Sequence, residues 1–186
     1  MKKNSEVHID RRLNPDDLIV IAGAGGFIAG SICRYFHNLG FTRIRAIDRK
    51  PLPEWYQRVP GVECLSMDLS EKANAIQAVE GAAEVYNFAA DMGGMGFIEH
   101  FRVECLRSIL VNTHLIEAAW RAGAQRYFFS SSACAYNTDL QKGPTFIQQV
   151  LDWEPQTTLR SGMERTYAWI AGQFADRKAG KRVVRD

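Results

Sequence analysis

The sequence predicts an α/β fold built on a doubly wound parallel sheet with helices on both faces. Short apolar runs rich in β-branched residues alternate with stretches of helical periodicity, and the first three helical stretches end at a glycine. The first apolar run, Leu18 to Ala22, leads directly into a glycine-rich turn, as at the start of a βαβ unit. We therefore expect at most six strands, with their carboxyl ends on one edge of the sheet.

The first βαβ unit has the features of a dinucleotide site. Gly23, Gly26 and Ala29 form a G-x-x-G-x-x-A turn between strand and helix. Glycines let the backbone approach a pyrophosphate, whose charge is stabilised at the helix N-terminus. The second strand, Ile44 to Ile47, ends in Asp48, which can accept hydrogen bonds from an adenosine ribose. Because a 2′-phosphate would meet a like charge there, the unit predicts NAD rather than NADP in a Rossmann-like fold.

Two features follow the next strand ends. Arg49 and Lys50 can approach cofactor phosphates, but we interpret them as solvated surface charge. The third strand, Gly61 to Met67, ends in Asp68. This carboxylate either accepts from an adenine amino group or caps the next helix, and the sequence favours neither.

The fourth strand, residues 84–90, leads into a second glycine-rich loop that contains Gly94, Met95 and Gly96. In a doubly wound sheet this loop lies beside the cofactor crevice, and its glycines predict close approach of the backbone to a ligand. Helical periodicity follows from Ile98 to Arg121. Its apolar stripe is expected to include Val103, Leu106, Leu110, Ile116 and Trp120.

A cluster of small polar residues follows the fifth strand, residues 126–130, and contains Ser132 and Cys134. At a central strand end such side chains can be catalytic, and the alternative is a serine-rich turn with an inert thiol. A last helix is predicted from Gly162 to Ala179, and the start of a sixth strand from Lys181 to Asp186.

Composition limits the possible functions. The chain has 186 residues, a net charge of +2 and a pI near 8.4, which gives no indication of nucleic acid or of a membrane surface as partner. Its four cysteines form no C-x-x-C pair and no zinc spacing with histidine, so we expect no metal and a cytoplasmic location. Residues 1–17 are polar and lack the apolar core of a secretory signal. We expect them to be an N-terminal extension of a single domain over residues 18–186.

Several motifs together resemble the extended short-chain dehydrogenase/reductase superfamily, in its sugar-nucleotide epimerase and dehydratase branch. The matching stretches are the cofactor turn at 23–28, Asn-Phe-Ala-Ala at 87–90 and Ser-Ser-Ser-Ala at 130–133. The segments 89–98 and 131–136 resemble epimerases that act on GDP-mannose. The resemblance implies a GDP-mannose-like nucleotide-sugar as the substrate. NAD oxidises this sugar at C4, the sugar is then epimerised at the neighbouring carbons, and the hydride finally returns to C4.

The resemblance also assigns roles to residues. Ser132 is implied to hydrogen-bond the C4 oxygen, and Cys134 to be one member of the acid/base pair. Gly94, Met95 and Gly96 are implied to contact the nucleotide-sugar. The residues implied to hold NAD are Gly23, Gly26, Phe27, Ile28, Asp48, Asp68 and Ala89.

The chain departs from this family at two points. The Tyr-x-x-x-Lys pair needed for hydride chemistry is replaced by Ser161 and Arg165. A serine hydroxyl is harder to deprotonate than a phenol, and arginine keeps only the positive charge. In addition, the C-terminal substrate domain is expected to be absent after Asp186. We therefore expect an isolated chain without activity, or a pseudoenzyme, that forms a homo-oligomer or a complex with a full-length relative.

Overall fold

The computed structural model describes residues 13–91, 100–131 and 156–179. The chain divides into two compact units, the first extending to Phe129 and the second from Ser130 to Val184, and each is described by itself. The extension over residues 1–17 is described only from Leu13 onward. The assignment of residues 18–186 to a single domain stays a prediction.

The first unit contains a five-stranded parallel sheet with the order β3-β2-β1-β4-β5. Starting from the central β1, the chain moves outward in one direction through β2 and β3, and then in the other through β4 and β5. This is the doubly wound arrangement that the sequence predicts, and it creates a crevice where the direction reverses. The sixth predicted strand lies outside the described residues. The strands are β1 (Leu18–Ala22), β2 (Ile44–Asp48), β3 (Glu63–Ser66), β4 (Ala82–Asn87) and β5 (Arg126–Phe129).

Three helices and a short 3₁₀ helix connect these strands. All five residues of β1 are buried, as expected for a strand covered on both faces. Ile19 and Ile21 pack with α1 on one face, and Val20 packs with α2 and α3 on the other. The helices are α1 (Phe27–Asn38), α2 (Lys72–Ala78) and α3 (Arg102–Arg121), and the 3₁₀ helix is Leu52–Glu54.

Helix α3 packs with a different face from the one that its large apolar residues predict. Val103 and Trp120 are each 78% exposed, and Leu106 and Leu110 are more than half exposed. The buried residues are smaller, namely Val111, Leu115, Ala118 and Ala119. Small side chains let α3 approach α2 and the sheet closely, so a stripe drawn through the largest apolar residues identified the wrong face.

The described part of the second unit is dominated by α4 (Leu159–Lys178), which begins slightly before the predicted residue 162. Its first turn is capped by Thr158, whose hydroxyl oxygen accepts the Ser161 N–H at 3.2 Å. Most of its large apolar side chains are exposed. None of the helices in the described ranges combines the length and the apolar composition needed to cross a membrane.

Candidate functional site

A cavity of about 390 Å³ lies in the first unit at the carboxyl ends of β1 to β4. Five of the seven residues expected to hold NAD line it, although they come from four separate segments of the chain. This is the crevice predicted by the strand order. The five residues are Gly23, Gly26, Asp48, Asp68 and Ala89.

The glycine turn has a conformation that only glycine accommodates. Gly23 has a φ of +84°, and a Cβ added there would lie 2.9 Å from the backbone of Phe88 and Ala89. Its N–H donates to the Ile47 carbonyl at 2.7 Å, and Gly26 then donates back to the Gly23 carbonyl at 2.9 Å. The turn therefore ends β1 against β4 and places Gly26, the N-cap residue of α1, on the cavity wall.

Asp48 is fixed at the end of β2 by two backbone donors. One carboxylate oxygen accepts the Gly25 N–H and the other the Lys50 N–H, each at 3.0 Å. A Cβ at position 25 would lie 2.9 Å from the Asp48 carboxyl carbon, so glycine is needed there for this contact. Each carboxylate oxygen retains acceptor capacity, which suits Asp48 to a ribose diol.

A short loop that the sequence reasoning did not assign supports this turn. Trp55 is only 1% exposed, and its indole N–H donates to the Lys50 carbonyl at 2.9 Å. The next residue, Tyr56, donates its backbone N–H to the Gly25 carbonyl at 3.2 Å. The signal in the sequence was a lone tryptophan between prolines and a polar stretch, which has no fixed relation to a glycine turn.

Asp68 closes a turn rather than capping a helix. One carboxylate oxygen accepts both the backbone N–H and the hydroxyl of Ser70, at 2.9 and 2.6 Å. Helix α2 begins at Lys72 with Glu71 as its N-cap residue, so the helix-cap alternative for Asp68 was wrong. The second oxygen lies 3.5 Å from the Arg107 guanidinium.

The charge on Asp68 is stabilised in this position. Partial burial alone would raise the pKa of Asp68, but the Ser70 hydrogen bonds and the charges of Arg107 and Arg49 outweigh it and lower that pKa. The carboxylate therefore stays ionised at neutral pH, and both of its oxygens can accept a hydrogen bond, for example from an adenine amino group.

A buried amide fixes the end of β4. Asn87 is fully buried, and its carbonyl oxygen accepts the Ala89 N–H at 3.0 Å. Its amide nitrogen donates to Asn112 at 3.2 Å and to the Tyr127 hydroxyl at 3.1 Å. Burial raises the pKa of Tyr127 to about 12, so this phenol remains a donor to Asn112. The network links β4, β5 and α3, and it places Ala89 against the cavity.

Arg49 and Asp91 form an ion pair on the cavity wall. The two terminal guanidinium nitrogens lie 2.6 and 3.2 Å from the two carboxylate oxygens. The Asp91 N–H also donates to the Ser108 hydroxyl at 2.9 Å. Arg49 is half exposed, in agreement with our interpretation of it as surface charge, but it is also paired with Asp91 and lines the cavity. Arg107 and Ser108 were not predicted, because the large apolar residues of α3 predicted that a different face of this helix would be buried.

The remaining predicted site residues fall into three groups. Phe27 and Ile28 begin α1 with exposed side chains and are not among the residues lining the cavity. Ser161 and Arg165 lie one turn apart on α4 in the second unit. Gly94, Met95, Gly96, Ser132 and Cys134 lie outside the described residues.

The residues that line the cavity fit the adenosine half of NAD. A glycine turn at a helix N-terminus suits a pyrophosphate, Asp48 a ribose and the ionised Asp68 an adenine amino group. In the described ranges, no group of three or more His, Cys, Asp or Glu side chains is placed to hold a metal ion.

Comparison with curated proteins finds relatives of this chain. The GDP-mannose 3,5-epimerase of Arabidopsis thaliana is 40% identical over 119 residues, which are 63% of this chain and 31% of that enzyme. The chain thus spans about a third of the length of the curated relatives that it matches.

Solved structures show the same fold. The structure described as MoeE5 in complex with UDP-glucose and NAD has a TM-score of 0.54 and 30% identity, covering 65% of this chain and 38% of that one. The UDP-glucose 4-epimerase of Thermus thermophilus, in complex with NAD, has a TM-score of 0.53 and 20% identity over 61% of this chain and 37% of that one.

The resemblance seen in the sequence motifs is thereby confirmed. The family model described as NAD dependent epimerase/dehydratase family matches residues 19–159, which is more than half of the chain. The same match confirms NAD as the predicted cofactor. The chain belongs to the NAD-dependent epimerase/dehydratase family.

Proposed function

We propose that this protein binds NAD in the cavity and a GDP-mannose-like nucleotide-sugar beside it, as the cofactor-binding part of a sugar-nucleotide epimerase. The observation that carries the proposal is the convergence of the glycine turn, Asp48, Asp68 and Ala89 on one cavity. In a typical βα turn without a ligand, nothing requires two carboxylates from neighbouring strand ends to face the same space.

Each cavity residue has a separate task in this proposal. The N–H groups at the start of α1 bind the pyrophosphate, and Asp48 accepts from the adenosine ribose. The Asp68 oxygen that faces Arg107 accepts from the adenine amino group. When bound, NAD supplies reversible hydride transfer with the sugar.

The sugar-binding part of the proposal rests on sequence similarity. Gly94, Met95 and Gly96 contact the nucleotide-sugar, Ser132 bonds its C4 oxygen, and Cys134 is an acid/base group. A thiol is suited to proton transfer because its ordinary pKa of about 8.5 is within reach of neutrality. The relative from Arabidopsis thaliana, whose name specifies GDP-mannose, supports this choice of substrate.

The isolated chain is proposed to be incompetent for the full reaction. Ser161 and Arg165 occupy the positions where the family pattern has tyrosine and lysine, and the i, i+4 spacing on α4 is intact. The Ser161 side chain is too short to replace a phenol, and Arg165 stays protonated, so neither can act as the base. Loss of one member of a coupled catalytic unit removes most of the rate.

The alternative is a non-catalytic NAD-binding pseudoenzyme that regulates or completes a full-length epimerase. In either case we propose a homo-oligomer or a complex with such a relative. The outer face of α3 supports this, because it exposes several large apolar side chains on one helix. They include Val103, Leu106, Ile109, Leu110 and Trp120.

Calorimetric titration with NAD, NADP and GDP-mannose, singly and together, tests the proposal. Binding of NAD and of GDP-mannose is the expected result. Binding of NAD alone would favour the pseudoenzyme, and the absence of binding by every ligand would overturn both readings. Product analysis after incubation with both ligands should show no epimer.

Sedimentation velocity tests the proposed association. The wild-type protein should sediment as an oligomer, and Leu110→Glu should shift it towards the monomer because a charge then lies on the apolar face. A strictly monomeric wild type would contradict a homo-oligomer.

A cytoplasmic location is also proposed, supported by the free thiols of Cys33, Cys64 and Cys105.

A further inference from the structure

The formal charges of the residues that line the cavity cancel. Three carboxylates and three cationic side chains face it, whereas a dinucleotide brings two negatively charged phosphates. Helix α1 contributes backbone N–H groups only, since its first turn is Phe-Ile-Ala-Gly. A cation that turned to a phosphate would therefore add to the binding by these N–H groups. The carboxylates are those of Asp48, Asp68 and Asp91, and the cations those of Arg49, Lys50 and Arg107.

Two of the three cations have contacts with groups other than Asp91. The Lys50 ammonium lies over the Tyr56 ring, 5.2 Å from its centroid. Arg107 extends from α3 to Asp68 at the end of β3, on the side of the cavity where the adenine would lie. Arg49 is the remaining cation on this wall.

The position of Arg49 relates it directly to the glycine turn. Arg49 follows β2, its partner Asp91 follows β4, and these two strands flank β1 in the sheet. The ion pair thus joins the two segments between which the turn of β1 lies. A phosphate bound at that turn would lie within the same part of the cavity.

The two terminal nitrogens of the Arg49 guanidinium have the geometry to bind a phosphate, but both of them are paired with Asp91. Both terminal nitrogens engage the two oxygens of Asp91, whose side chain is 13% exposed. A planar guanidinium fork matches a carboxylate and a phosphate equally well, so the two compete for the same N–H groups.

We propose that Arg49 is a ligand of the diphosphate of the bound dinucleotide, and that Asp91 competes with the diphosphate for it. The proposal rests on the proposed function and adds a residue that sets its affinity. When the cofactor binds, the Arg49 fork moves from Asp91 to a phosphate. The cost of breaking the ion pair lowers the affinity that the site would otherwise have.

Competition predicts opposite effects of the two neutral substitutions. Arg49→Gln should weaken the binding of NAD and of ADP-ribose about tenfold, the usual worth of a charge-assisted hydrogen bond. Asp91→Asn should strengthen both severalfold, because Arg49 is then available without cost. Neither substitution should change the affinity for adenosine, which has no phosphate. Calorimetry measures all three ligands, with melting curves to verify folding.

Control variants separate this role from general effects of charge and packing. Arg43 lies before β2, at the opposite end of that strand, where it donates to the Asp16 carbonyl at 3.2 Å, so Arg43→Gln should leave all affinities unchanged. Arg49→Lys keeps the charge without the fork and should bind NAD with intermediate affinity. It also provides the test if Arg49→Gln does not fold.

The outcomes distinguish the two proposals. Wild-type protein that binds neither NAD nor ADP-ribose overturns the proposed function, and this inference with it. If the wild type binds both, but Arg49→Gln and Asp91→Asn have no effect or shift affinity in the same direction, the inference alone is overturned. Equal effects on adenosine and ADP-ribose would also overturn it, because the role would not involve phosphate.

Discussion

The cavity wall and helix α4 preserve the family pattern to very different degrees. On the cavity wall, Asp48 accepts two backbone hydrogen bonds and the turn at Gly23 packs against the β4 backbone, so the binding residues also hold the fold together. On α4, Ser161 and Arg165 lie on a helix whose side chains are mostly exposed. Substitution on α4 therefore costs little stability. The residues of the cofactor cavity are therefore constrained by the stability of the fold as well as by binding. An intact cavity does not by itself indicate catalysis, so binding and catalysis must be tested separately.

Restoring the family pattern on α4 should have the largest effect. Ser161→Tyr combined with Arg165→Lys places a phenol and an ammonium on one helix face, where the ammonium lowers the pKa of the phenol. We expect reduction of bound NAD by GDP-mannose in a single turnover, which the wild-type protein should not show. The absorbance of the reduced nicotinamide measures it.

The single variants provide the control for that experiment. Ser161→Tyr alone should give a slower reaction, because the phenol is present but the lysine is not. Arg165→Lys alone should give no reaction, because no phenol is present. Reduction of NAD by the wild-type protein would contradict the contrast between the cavity and α4. If the double variant binds both ligands but remains inactive, the missing chemistry lies outside these two positions.

The second largest effect should come from Gly23→Ala, which combines two costs. A positive φ in a non-glycine residue costs about 1–2 kcal/mol, and the added Cβ would lie 2.9 Å from the backbone of Phe88 and Ala89. Unfolding by urea should show a loss larger than that of Gly40→Ala, because Gly40 has a φ of +90° but nothing within 4 Å of its added Cβ. Equal losses would show that the turn does not need the close approach.

The binding assay separates the same two variants more sharply. Gly23→Ala should abolish NAD binding, since the strand end must move away from β4 and take the N–H groups of α1 with it. Gly40 follows the far end of the same helix, so the Gly40→Ala variant should bind NAD as the wild type does. NAD binding by Gly23→Ala with normal affinity would contradict the assignment of the turn to the pyrophosphate.

Local patterns determined which parts of this molecule could be predicted. Strand β1 and the turn at Gly23 are short, contiguous and buried, so residue type and spacing predict them closely. The buried face of α3 was missed, because packing at short distance selects alanines over the larger Leu110 and Trp120.

Contacts between distant segments could not be read from the sequence. Arg49 and Asp91 are brought together by the strand order, and a lone charge in a loop gives no information about its partner. The role of Trp55 as a support for the glycine turn depends likewise on how one loop folds back. Predicting such contacts requires the three-dimensional arrangement of the strand ends.

Asn87→Ala should have an intermediate effect, limited to stability and to the shape of the cavity. It removes three hydrogen bonds and leaves partly buried groups of Ala89, Asn112 and Tyr127 without this partner. We expect a loss of about 2 kcal/mol in the free energy of unfolding, measured in urea. Asn38→Ala, at an exposed helix end, is the matched control and should cost much less. Equal losses in the two variants would show that the buried network does not stabilise the fold.

The smallest effect should be the dependence of stability on Asp68 and pH. The pKa of Asp68 is lowered in the folded protein, so its charge stabilises the fold above the unfolded value of about 3.9, and this contribution is lost as the pH falls through the folded value. Asp68→Asn keeps an oxygen for the Ser70 hydrogen bonds but removes the attraction to Arg107. Urea unfolding should therefore show a slightly less stable variant at neutral pH, and the two proteins should converge in acid. A difference that persists in acid would mean that Asp68 stabilises the fold through its packing or hydrogen bonds and not through its charge.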